Sequence, residues 1–85
     1  MPIKKKIRIR EVKMRKHLLG EAFKEGDRYT ININTEHRTE KSRMNTVVHE
    51  ALHVADFDLS EAHVRRITSV VTEVLWREKY RRVLS

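Results

Sequence analysis

The apolar residues of this chain change period once. Before residue 35 they alternate: Ile7 and Ile9 are set between Lys6, Arg8 and Arg10, and Tyr29, Ile31 and Ile33 between Thr30, Asn32 and Asn34. That period of two is the signature of half-buried strands. After a polar connector at 35–41 (TEHRTEK), Met44, Val47, Val48, Ala51, Leu52 and Ala55 recur at steps of three and four, which predicts an amphipathic helix over 42–56 with Ser42 or Thr39 as its cap. Strands therefore come first and helices second, which is the pattern of an α+β fold.

The remaining punctuation fits this order. Lys24-Glu25-Gly26-Asp27 reads as a turn, and Ala22 with Phe23 as a short extra strand before it. Asp56-Phe57-Asp58-Leu59 makes a second turn. Ser60 is a good N-cap, Glu61 lies in the first helical turn where a carboxylate suits the dipole, and Lys79, Arg81 and Arg82 suit the other end. A closing helix is expected over 60–82, burying Ile67, Val70, Val71, Val74 and Leu75. The expectation is a two- or three-stranded antiparallel sheet within 1–34, followed by a helical hairpin, all in one domain spanning 1–85.

A chain of 85 residues has room for one small core, and domains of this size gain from a metal or a partner. Without cysteine there is no disulfide, no thiolate zinc site and no thiol nucleophile, so a metal must sit on His, Asp or Glu. No apolar run approaches the roughly 18–20 residues that cross a bilayer, and no signal core follows the lysine-rich start. A cytoplasmic protein without a membrane partner is expected.

The net charge of +7 is concentrated at the start. Lys4, Lys5, Lys6, Arg8, Arg10, Lys13, Arg15 and Lys16 face Glu11 alone, while 17–64 is net acidic and 65–85 net basic. Such a cluster, Lys4, Lys5, Lys6, Arg8 and Arg10 above all, suits a nucleic-acid backbone or an acidic protein partner. It equally suits an edge strand protected from aggregation. No aromatic residue is interleaved in it to stack on bases.

The most informative five residues are His49-Glu50-Ala51-Leu52-His53, in the middle of the first predicted helix. Histidines at i and i+4 project from one face a turn apart, where both can reach one zinc ion. Glu50, about 100° round the helix, is placed to take a proton from a metal-activated water as general base. A tetrahedral site needs a third protein ligand. If the chain reverses near 57–59, that ligand comes from about 56–66, a window holding Asp56, Asp58, Glu61 and His63. Glu61 has the best reach from the start of the second helix, and the other three stay open. A peptidase-like site also wants a strand edge beside the motif helix for a peptide substrate, a role open to the Tyr29–Asn34 strand. An oxyanion stabiliser is also expected, with Tyr29, His63 and Arg65 as candidates.

From Thr46-Val47-Val48-His49-Glu50-Ala51-Leu52-His53 through Asp58-Leu59-Ser60-Glu61 to Leu75-Trp76-Arg77, the sequence resembles the very small single-domain HExxH proteins of bacteria and bacteriophages. The resemblance covers about residues 44–82 well and the strands in outline. It implies a minimal zincin core, similar to the catalytic helices of gluzincins, with His49, His53 and Glu61 as zinc ligands and Glu50 as base. No Gly follows the motif as in metzincins, and no insertion supplies thermolysin-like subsites. The expected activity is zinc-dependent hydrolysis of a peptide or protein substrate. The competing expectation is a non-enzymatic module that binds nucleic acid or protein through its basic start, with a structural or vestigial metal site.

Overall fold

The computed structural model describes residues 6–15 and 17–82, so Lys4 and Lys5 lie outside the described residues. Three strands, β1 (Lys6–Val12), β2 (Gly20–Glu25) and β3 (Arg28–Asn34), precede two helices, α1 (Glu40–Ala55) and α2 (Glu61–Arg77). This is the α+β order that the change of period implies.

β2 and β3 form an antiparallel hairpin with Glu25 opposite Arg28, closed by Gly26-Asp27. Gly26 has φ of 61°, the left-handed value that the first position of such a turn requires and that glycine adopts without strain. The sheet order is β1-β3-β2, and β1 pairs with β3 in parallel, from Lys6 opposite Arg28 to Val12 opposite Asn34. The expectation of antiparallel pairing throughout is corrected for this pair. The connection from β1 crosses the end of the sheet to β2, held by the buried Asn34 amide. Its Oδ1 accepts from Met14 N at 3.3 Å and Glu36 N at 3.1 Å, and its Nδ2 donates to Leu18 O at 2.6 Å and Arg15 O at 3.3 Å. A side chain that satisfies three backbone groups of this connection, at Met14, Arg15 and Leu18, fixes the path that the loop takes.

One face of the sheet carries Tyr29, Ile31 and Ile33 of β3, with Ala22 of β2 and Ile7 and Ile9 of β1 on the same side. α1 packs on the β2 and β3 part of this face and carries α2 on its other side. Ile31, Ile33 and Val54 form the core, with Ala22, Tyr29 and Val47 against it. Each fully buried aliphatic side chain contributes about 1.5–3 kcal/mol. Ile7 and Ile9 remain half exposed because the helices do not extend over β1. Instead, Glu11 ties β1 to the helices by ion pairs with Arg43 at 2.6 Å and with Arg82, whose other arm reaches Glu40 at 2.6 Å.

Thr39 caps α1, its hydroxyl accepting from Ser42 N at 3.0 Å, and Ser60 caps α2 by accepting from His63 N at 3.2 Å. α2 stops at Arg77, five residues short of the expected end. The chain then turns through Lys79, at φ 63°, while Lys79 N donates to Trp76 O and Tyr80 N to Leu75 O. Arg81 stacks its guanidinium on the Trp76 ring at 3.8 Å. The expected buried stripe of α2 is also corrected. Val64, Thr68 and Thr72 are buried, Ile67 and Leu75 half-buried, and Val70, Val71 and Val74 exposed. Glu61, Val64, Thr68 and Thr72 share one face at steps of three and four, so the rotation that carries Glu61 inward turns the valines out.

Candidate metal centre

His49 and His53 lie one turn apart on α1, with Nε2 atoms 3.3 Å from each other. The rings stand edge to face at 66°. From the first turn of α2, the Glu61 carboxylate reaches both imidazoles: Oε1 is 2.7 Å from His53 Nε2 and Oε2 is 3.5 Å from His49 Nε2. A ligating atom from each of His49, Glu50 and His53 also falls within 4.8 Å of the others.

These contacts over-demand protons. A single Nε2 hydrogen on His53 serves either Glu61 or His49, and three lone-pair-bearing groups aimed at one point remain short of a donor. A cation at that point satisfies all three. Tetrahedral zinc with arms of about 2.0–2.1 Å holds its donors roughly 3.3–3.4 Å apart, the separation of the two imidazole nitrogens. The donor set, two neutral nitrogens and a carboxylate, is one zinc accepts with a fourth position left over.

Gly20, the first residue of β2, brings the sheet close to this helix. A Cβ on Gly20 would stand 2.7 Å from Thr46 Cγ2 and 3.3 Å from Glu50 Cγ. Glu50 is consequently buried, and desolvation, the chief cause, pushes its carboxyl above the ordinary carboxylate range. His53 opposes the rise, and the Glu61 and Glu21 carboxylates add to it. Burial likewise lowers His49 below the usual imidazole value. Glu61 pulls against it, and His53 and Arg65 reinforce it. Both shifts favour a neutral imidazole that can ligate and a carboxylate ready to hold a proton.

Family models, curated proteins and solved structures offer no match to this chain.

A cleft of about 480 Å³ opens over the motif, lined by His49, Glu50 and Glu61 together with His17, Gly20 and Arg65 among others. Of the residues considered as a third ligand, Glu61 is the one that meets the histidine pair. Asp56 ends α1 and turns its Oδ1 back to accept from Asp58 N at 2.9 Å, and Asp58 and His63 are exposed without contact to the pair. Of the oxyanion candidates, Arg65 lines the cleft. Tyr29 instead stacks on Phe57 with centroids 6.1 Å apart. The β3 strand is central, hydrogen-bonded on both sides, so it offers no free edge. The open edge beside the motif is β2. His17 was not among the sequence candidates, since nothing in the pattern around it shows that the loop of Asn34 folds it over α1.

Proposed function

We propose that this chain is a minimal zincin-like hydrolase that cleaves peptide bonds with a zinc ion on His49, His53 and Glu61. The observation that carries this reading is the convergence of the two Nε2 atoms and the Glu61 carboxylate on one point. Zinc bound there supplies Lewis acidity, lowering the pKa of water and polarising a carbonyl.

The chain's own residues do the rest. Glu50 neighbours the ligands without being needed to complete them, and its raised carboxyl accepts a proton from water and returns it to the leaving amine. Arg65, on the cleft wall, offers its guanidinium to negative charge developing on the carbonyl oxygen. The free edge of β2 beside Glu50 provides backbone donors and acceptors for an extended peptide. Among the described residues no helix is long and apolar enough to cross a membrane, and a cytoplasmic setting belongs to this proposal.

Glu50→Gln tests the assignment against a mixed peptide library read by mass spectrometry. The substitution keeps zinc and lowers cleavage by about 10²-fold or more. Cleavage at the wild-type rate would remove Glu50 from the mechanism.

A further inference from the structure

The face of the sheet opposite α1 carries no helix. By the strand register, three rows of side chains cross it: Lys6, Arg28 and Glu25; Arg8, Thr30 and Phe23; Arg10, Asn32 and Glu21. Its cations stand along β1 and at the start of β3, and its aromatic ring stands on β2. Sequence spacing hides this ring, because Phe23 joins the basic residues only across two strand pairings.

We propose that this face binds single-stranded nucleic acid, with the phosphates along the exposed cations of β1 and the bases reaching over the buried Thr30 and Asn32 of β3 toward the half-buried Phe23. Lys6, Arg8 and Arg10 alternate along one strand and so present a cation every ~6.6 Å. Arg8, Arg10 and Arg28 make no ion pair with any described residue, and Lys6 meets the exposed Asp27 only at 4.0 Å. Unpaired, exposed guanidinium groups carry counterions that a phosphate backbone releases on binding. β1 and β2 lie about 9.5 Å apart across β3, a span that suits a sugar and a base. Along β2, Glu21 and Glu25 repel phosphate, which fixes the backbone on the β1 side. Glu21 is occupied in part by Asn32 Nδ2, which donates to it at 2.9 Å. Phe23 between them gives a base a ring to stack on, without regard to sequence. An acidic polypeptide needs the cations but not the ring, so Phe23 favours nucleic acid. This face lies on the far side of the sheet from His49 and Glu61, and the inference does not rest on zinc.

The test is fluorescence anisotropy of the full chain with a labelled oligothymidylate. With four phosphates neutralised by Lys6, Arg8, Arg10 and Arg28, affinity falls about 50-fold between ~50 and ~200 mM salt. In Arg8→Ala/Arg10→Ala that loss shrinks to about 7-fold. Phe23→Ala weakens binding about tenfold at either salt concentration, and Phe23→Leu, which keeps apolar bulk for the fold, does the same. Circular dichroism confirms that each variant is folded. Absence of binding at ~50 mM salt, or an unchanged salt slope in the double arginine variant, would overturn the proposal. So would equal competition by polyglutamate together with indifference to Phe23→Leu, which would assign the face to an acidic protein.

Discussion

Gly20 and Glu50 touch across the junction of sheet and helix, the glycine Cα standing where a Cβ would come within 3.3 Å of Glu50 Cγ. The proposed base of the candidate centre thus lies against a position with no side chain. Gly20→Ala, with Thr46 Cγ2 only 2.7 Å from the new carbon, forces β2 from α1 and costs about 1–3 kcal/mol in urea unfolding. Adding Thr46→Ala relieves the nearest contact, so the double variant is more stable than the sum of the single losses predicts. Strict additivity would show that the approach is not tight.

A second expectation concerns acid. Hydrogen bonds from Lys41 at 2.7 Å and Arg77 at 3.0 Å hold the Glu73 carboxyl below its ordinary range. A carboxyl with a depressed folded value stabilises the protein above its unfolded pKa and loses that contribution as pH falls through the folded one. The stability gap between wild type and Lys41→Ala is therefore steady near about pH 7 and closes toward about pH 3. A gap of constant size over that range would contradict the pairing.

The end of α2 holds a correctable strain. Lys79 sits at φ 63°, where its Cβ is unfavourable and glycine is at ease. Lys79→Gly stabilises the chain by about 1 kcal/mol, a rise in Tm of about 4–8 °C. An unchanged or lower Tm would mean that the lysine side chain contributes more than its conformation costs.

The order of elements was legible in the sequence because alternation and helical spacing each imply one local geometry. Thr39 and Ser60 mark their helices by the short-range chemistry of caps, and the histidine pair follows from helix pitch alone. Strand direction was not legible. Alternation in β1 is the same whether the strand runs parallel or antiparallel, and the choice depends on three hydrogen bonds between the Asn34 side chain and the distant backbone of Met14, Arg15 and Leu18. The buried face of α2 escaped for another reason. Its valine stripe and its Val64, Thr68 and Thr72 stripe share one spacing, and hydropathy prefers the valines. The second stripe is the one that packs on α1, on the same face that carries Glu61 toward His49 and His53, a long-range arrangement absent from any window of the sequence.

The most direct measurement is elemental analysis of the untagged protein purified without added metal. About one zinc per chain is expected in wild type and in Glu50→Gln, with zinc lost from His49→Ala and reduced in Glu61→Ala. No zinc in the wild type after exposure to it, or equal zinc in His49→Ala, would contradict this expectation.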